Sequence, residues 1–257
     1  MWDPGAYAEL GEHRLRPWHD LMARVGAALP RRVVDVGCGP GDATVLLAAR
    51  WPGATLEAFD SSPEMVSAAR ARGVDARVRD LRQWLPASDT DVLVSNAVLQ
   101  WVPEHVELLK AWVRVLPGGG WLAVQVPGNF TAPSHTLIRE LAAQPRWAPR
   151  LAGVLRGAET VHPVRHYAEL LTAAGCAVDA WETSYLQRLD SADPVLAWVT
   201  GTALRPVRAA LDDDAWARFR AELAPMLRDA YPPGSDGATW LPFRRVFVVA
   251  QVGGGGR

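Results

Sequence analysis

Between Arg32 and Arg50 the sequence reads RVVDVGCGPGDATVLLAAR, and no other stretch restricts the fold so tightly. Val33 and Val34 are β-branched and apolar, which predicts a short buried strand. Gly37, Gly39 and Gly41 follow at alternate positions. Glycine lets a backbone turn sharply and approach a ligand without a Cβ in the way. The next run, residues 43–50, has helical composition, and Asp42 just ahead of it reads as its N-cap. Strand, glycine turn and helix together form the geometry of nucleotide-cofactor sites, where backbone N–H groups and a helix N-terminus face the ligand.

The residues inside the motif narrow the ligand. A dinucleotide fingerprint places glycine or alanine at the third small position, and here that position is Asp42. A carboxylate there would face a pyrophosphate with the wrong charge. Asp35, inside the strand, suits a ligand that carries an ammonium group. S-adenosyl-L-methionine (SAM) has an amino group, a sulfonium cation and no phosphate. At this point the chain resembles the class I SAM-dependent methyltransferases, whose first motif is an acid followed by G-x-G-x-G. The resemblance implies an α/β fold with a Rossmann-like seven-stranded sheet, mostly parallel with the last strand antiparallel, and a helical cap. It also implies SAM as cofactor and S-adenosylhomocysteine as product. A dinucleotide-dependent oxidoreductase, a SAM-dependent O- or N-methyltransferase of another metabolite, and a non-catalytic SAM-binding protein stay open.

The chain has 257 residues, enough to bury a full core. We expect one methyltransferase domain over 1–257, with substrate-cap insertions at 127–163 and 190–242. A formal net charge of −1 supplies no global field for nucleic acid or a membrane surface. Cys38 and Cys176 are the only cysteines and lack metal-ligand spacing, so a reducing, cytoplasmic location and no metal are expected. Lys110 is the only lysine. The cationic chemistry is therefore that of arginine, whose planar fork binds carboxylates bidentately.

Taken in order, Asp3-Pro4 reads as a helix start, and the resemblance places Tyr7 and Arg14 or Arg16 near the methionine carboxylate. Residues 54–59 predict a second strand ending at Asp60, an acid about twenty residues past the glycines that would accept from ribose hydroxyls. Ser61 follows, then a helix capped by Ser62 with Pro63 at its start; Met65 would cover the adenosine. A short third strand, 76–79, precedes Asp80-Leu81, which the resemblance sets against adenine. Strand four, 90–95, is followed by Asn96, Ala97, Gln100 and Trp101, at the end of the sheet where ligands sit. Pro103 would begin a helix through Val115. Further strands are read at 121–125, 178–185 and 245–250, with a helix at 165–174.

Segments outside the cofactor motifs carry a closer likeness. Trp2-Asp3-Pro4, Asn96 through His105, residues 123–127, Ala174-Gly175-Cys176, Trp198-Val199-Thr200, Leu204-Arg205-Pro206 and residues 242–245 resemble the trans-aconitate methyltransferases. At 128–130 the chain has Gly-Asn-Phe where that family would have an acid and a tryptophan. The resemblance implies a small polycarboxylate acceptor, methylated on a carboxylate oxygen. Arg205, Arg244 and Arg245 are the candidate carboxylate partners, with Gln100, His135, Tyr185 and Tyr231 beside them. No nucleophile–base–acid arrangement is present, and His105, His135, His162 and His166 show no pairing that compels a base or metal role. Gln100 and Trp101 are thus candidates for positioning only. That suits a carboxylate nucleophile, already ionised at neutral pH.

Overall fold

The computed structural model describes residues 11–254, with side chains from Leu15 onward. The apolar run after Arg31 forms β1 (Arg32–Val36), with Val33, Val34 and Val36 no more than 1% exposed. Burying each such side chain stabilises the fold by about 1.5–3 kcal/mol. β1 lies between β2 (Thr55–Asp60) and β4 (Thr90–Asn96), parallel to both. β3 (Ala76–Val78) pairs parallel with β2, and β5 (Trp121–Pro127) pairs parallel with β4. β6 (Cys176–Leu189) and β7 (Thr239–Val252) complete a seven-stranded sheet of order β3-β2-β1-β4-β5-β7-β6. β7 is antiparallel to β5. Val252 exchanges backbone bonds with Gly119 and Gly120 at the start of β5, and the Arg244 carbonyl accepts from Gly128 just past its end.

Two compact units divide the chain. One comprises residues 1–126, 162–182 and 246–257; the other comprises 127–161 and 183–245. In the first unit, helices Asp42–Arg50, Pro63–Ala71, His105–Val115 and Val164–Ala173 accompany the sheet. Ser62 caps the second of these, its Oγ accepting from Met65 N at 3.2 Å. In the second unit the long helix Asp213–Ala230, capped by Asp212 accepting from Ala215 N at 2.8 Å, packs against Pro133–Ala142. Phe219, Leu223 and Leu227 on the first helix and Ile138 and Leu141 on the second are buried. The Trp147 ring meets Phe219 edge-on at 5.2 Å.

Several boundaries differ from the sequence reading. Gly41, not Asp42, is the N-cap of the first helix after β1. Its φ of +89° requires glycine, and Asp42 becomes the first helical residue, paired with Arg72 at 3.1 Å. The helix expected from Pro103 begins at His105. His105 is buried: its Nδ1 donates to the Val102 carbonyl at 2.9 Å, which leaves Nε2 to accept from Tyr167 Oη at 2.9 Å. Burial, foremost, keeps this imidazole below its usual pKa and so neutral. β6 and β7 each run 14 residues, longer than read from the sequence. The helix start at Asp3-Pro4 lies outside the described residues.

Candidate functional site

The register of the sheet assembles the site. Val36 of β1 faces Phe59 of β2 and Ser95 of β4, so the loops that follow the three strands leave the sheet together. Chain order reverses at β1, with β2 on one side and β4 on the other. A crevice at the carboxyl ends of the strands is the usual ligand position in such sheets. Here a cleft of about 390 Å³ opens there. Gly37, Gly39, Asp60, Ser61, Met65 and Asp80 are on its wall, together with Leu81, Asn96, Ala97 and Trp101. The structure thus brings together ten residues that the sequence reading had placed at the cofactor.

The glycine loop is shaped by contacts that a side chain would prevent. Gly37 N and Cys38 N both donate to the Phe59 carbonyl, at 2.8 and 3.0 Å, tying the loop to β2. Gly37 has φ +70°, and a Cβ there would sit 2.4 Å from Val98 Cγ2. Gly37→Ala combines strained backbone with a clash, so it should destabilise the protein by roughly 2–4 kcal/mol. Chemical denaturation would read that loss directly. A Cβ on Gly39 would meet nothing within 4 Å, so there the absent side chain leaves open space.

Asp60 stands at the end of β2 with both carboxylate oxygens oriented. Oδ2 accepts from Gly39 N at 3.0 Å and Oδ1 from Ser62 N at 2.9 Å. Each oxygen keeps a further lone pair for an incoming donor. Asp80 caps the short turn Leu81–Gln83 and accepts from Arg82 N at 2.9 Å and Arg82 Nε at 3.0 Å. These bonds to Arg82 hold its carboxyl below the ordinary range. Asn96 ends β4, and its buried Oδ1 has no hydrogen-bond partner. Ala97 follows with φ +58°, a conformation that alanine adopts only under constraint.

Other candidates lie elsewhere. Asp35 is 3% exposed and off the cleft wall; it accepts from Thr44 Oγ1 at 2.6 Å. Burial pushes its carboxyl up to about 6, against the Thr44 bond, with Asp60 adding to the rise. Gln100 is buried, its Nε2 donating to the Ala97 carbonyl at 2.6 Å. Tyr7 and the Arg14 side chain lie outside the described residues. In the second unit Tyr185 is buried, Arg205 opens the helix Arg205–Ala210, and Tyr231 Oη accepts from Ser134 N at 3.0 Å. Arg244 N donates to Asn129 Oδ1 at 2.7 Å, and the buried Arg245 stacks its guanidinium over Phe243 at 4.3 Å. His135 does not share a cavity with Tyr231; it sits beside Arg139 and Arg156. Neither arginine stands out in the sequence, because no spacing marks a lone arginine as a site. Cys38 is buried and free, and burial drives its thiol pKa up, away from nucleophilic use. Among the described residues, no helix is long and apolar enough to cross a membrane.

Residues 10–180 match a family model described as a methyltransferase domain. The trans-aconitate 2-methyltransferase of Rhodococcus jostii (strain RHA1) is 61% identical over 253 residues, covering 98% of this chain and all of that protein. The trans-aconitate 2-methyltransferase of Mycobacterium tuberculosis (strain ATCC 25177 / H37Ra) is 55% identical over 258 residues, covering 100% of this chain and 99% of the other. Among solved structures, the YcgJ protein of Bacillus subtilis superposes with a TM-score of 0.58 at 13% identity, covering 93% of this chain and 100% of that one. Haemonchus contortus phosphoethanolamine N-methyltransferase 2, solved with S-adenosylhomocysteine, gives a TM-score of 0.52 at 16% identity, covering 92% of this chain and 53% of that one. The structural likenesses carry the fold and no more. The sequence likenesses run through both compact units, and the chain belongs to the trans-aconitate 2-methyltransferase family of methyltransferases.

Proposed function

We propose that this protein transfers the methyl group of SAM to a carboxylate oxygen of trans-aconitate, giving the methyl ester and S-adenosylhomocysteine. The observation that carries the reading is the 61% identity to a trans-aconitate 2-methyltransferase across 98% of the chain. The cleft fits the cofactor on its own terms. Its volume of about 390 Å³ lies within the range of small-molecule sites. Asp60 offers two lone pairs to the ribose hydroxyls, while Met65 and Leu81 give apolar cover to the adenosine. Asp80 and the Leu81 N–H face adenine. Ser61, Gly37, Gly39, Asn96 and Ala97 border the methionyl part, with the orphaned Asn96 Oδ1 available to an ammonium donor. Asp35 is the nearby counter-charge. Tyr7 and Arg14 complete this set in the family resemblance, as Arg205, Arg244, Arg245, Gln100 and Tyr185 do for the acceptor. Both cysteines are free thiols, which supports a cytoplasmic location.

When bound, SAM supplies an electrophilic methyl on a sulfonium. The protein's residues orient the acceptor and keep water away, and orientation alone is worth several kcal/mol of barrier. An acceptor carboxylate with a pKa near 4 is ionised at pH 7, so no residue has to remove a proton. His135 fits this scheme. Burial first, then Arg139 and Arg156, holds it at about 4 and therefore neutral. At saturating SAM, kcat should change less than about twofold between pH 7 and 8.5. A rise through that window tracking a single group would instead indicate an amine or hydroxyl acceptor and a general base. The direct test is a methyl-transfer screen over small di- and tricarboxylates read by product mass. A screen that methylates none of them would end this assignment.

A further inference from the structure

Within the first unit, His105, His162, His166 and Tyr167 meet beside one wall of the cleft. That wall includes Trp101, Val102 and Pro103, and Val102 carries the connection. Its carbonyl accepts twice from His105, from the backbone N at 3.1 Å and from ring Nδ1 at 2.9 Å. Trp101 N and Val102 N donate in turn to the Val98 and Leu99 carbonyls, at 2.9 and 3.0 Å. The segment from Val98 to Pro103 is therefore one hydrogen-bonded piece, and His105 closes its far end. With Nδ1 donating, Nε2 keeps the ring's lone pair and accepts from Tyr167 Oη at 2.9 Å. The same phenol oxygen accepts from His162 N at 3.2 Å. Burial pushes the Tyr167 phenol up to about 12, so it keeps the proton that it donates. His105 and Tyr167 are each 2% exposed.

We propose that His105 is a positioning residue for the cofactor: as a neutral imidazole it locks the Trp101–Pro103 wall of the cleft, and on protonation it releases that wall. The proposal rests on the reading of the cleft as the SAM site. A protonated ring has two N–H donors and no acceptor. Tyr167 must then turn its hydroxyl to accept, leaving its own proton without a partner in a site closed to water, which is costly. Charge acts in the same direction. The His162 ring lies 5.6 Å from that of His105 and 4.4 Å from that of His166, and positive charge on either opposes a proton on His105, while Glu104 favours one. Burial is the largest cause holding both His105 and His162 below their ordinary value. The helices His105–Val115 and Val164–Ala173 pack together. On them Glu107 pairs with Lys110 at 2.7 Å and Arg165 with Glu169 at 2.6 Å, and Arg114 lies at the opposite end of its helix from His105. Arg82, whose field reaches Glu104, pairs with Asp80. Proton binding at His105 and SAM binding in the cleft therefore oppose each other, by the same factor in both directions.

The test reads both sides of this linkage on the full-length protein. In the wild type, imidazole nitrogen NMR should show His105 as the Nδ1–H tautomer at pH 7.5. Saturating SAM should lower the His105 pKa by about one pH unit, the counterpart of a tenfold loss of SAM affinity on protonation. Calorimetry reads the other side. At pH 7.5, H105N should bind SAM about 5- to 20-fold more weakly than wild type, the range for one lost hydrogen bond to a buried group. Its carboxamide still donates to Val102 but is too short for Tyr167. By pH 5 the two Kd values should converge. Asp35 titrates in both proteins and cancels in their ratio. H105Q offers Tyr167 an acceptor that does not titrate, so it should recover part of the affinity at pH 7.5 and bind more tightly than wild type at pH 5. At saturating SAM, kcat should stay within a few-fold throughout. Circular dichroism establishes that each variant is folded; should H105N fail to fold, the His105 pKa with and without SAM decides alone. An unchanged pKa, or the same ratio of Kd values at pH 5 and 7.5, overturns the proposal. The cleft reading fails separately: a folded Asp60→Ala protein with wild-type SAM affinity removes SAM from this cleft and takes the role of His105 with it. If Asp60→Ala weakens SAM while His105 is indifferent to it, only the role of His105 falls.

Discussion

Replacing Asp60 with alanine should weaken SAM binding by two or more orders of magnitude in a protein that still folds. The carboxylate is preset by Gly39 N and Ser62 N, one on each oxygen, so it meets a ribose without reorganising. Two charge-assisted bonds to the ribose hydroxyls are worth about 1.5–3 kcal/mol each, and every 1.4 kcal/mol is tenfold in Kd. The two backbone N–H groups that lose their acceptor border the cleft and can turn to water, so the fold should persist. Asp60→Asn should fall between, since its carboxamide keeps one acceptor but presents an NH₂ where the other was. Calorimetric titration with SAM measures both. A folded Asp60→Ala protein with wild-type affinity would remove Asp60 from the cofactor site.

Asp35→Asn should raise stability at neutral pH and lower SAM affinity together. Burial lifts this carboxyl to about 6 from an ordinary value of 3.8, against the Thr44 bond and with help from Asp60. A raised carboxyl stabilises the folded state fully below its unfolded pKa, and that contribution is lost as pH climbs through the folded one. Between pH 4 and 6 the folded protein holds a proton that the unfolded chain has released. By pH 7 the full penalty is in place, up to about 3 kcal/mol for a shift of this size. Asparagine never ionises and escapes it, although its NH₂ needs an acceptor, so a gain of about 1–2 kcal/mol is expected. In a chain of this length that is roughly 2–8 °C in Tm. The gain should vanish near pH 4. Scanning calorimetry across that range decides: an Asp35→Asn protein less stable than wild type at pH 7.5 would refute the account.

What the sequence disclosed followed from local chemistry. β1, β4 and β5 read clearly because strands buried on both faces are short apolar runs, and Val33-Val34 and residues 92–94 are such runs. Asp60 and Asp80 were legible by their order after the glycines. β7 was underread because Pro242 interrupts its first half, and a proline ordinarily argues against a strand; its side chain is exposed here. Gly41 displaced Asp42 as the cap because a left-handed φ is a backbone demand that no side-chain preference reveals. Contacts between distant segments were beyond reach. Thr44 on Asp35, Tyr167 on His105, and Arg139 and Arg156 around Phe130 meet only once the chain has folded.

The position of β7 has a consequence for how this protein is made. It lies inside the sheet, between β5 and β6, yet it is the last strand in chain order, and residues 246–250 are no more than 2% exposed. During synthesis, β5 and β6 emerge well before the strand that belongs between them. At ribosomal speeds of about 5–20 residues per second, the roughly fifty residues from the end of β6 to the start of β7 take several seconds. Through that interval β5, buried along most of its length, carries an open edge, the form in which nascent chains pair with the wrong neighbour. Both compact units are also assembled from separated segments of chain, so neither can be completed while the ribosome is still upstream of residue 239. The yield of correctly folded protein is therefore set late, by the arrival of a single strand.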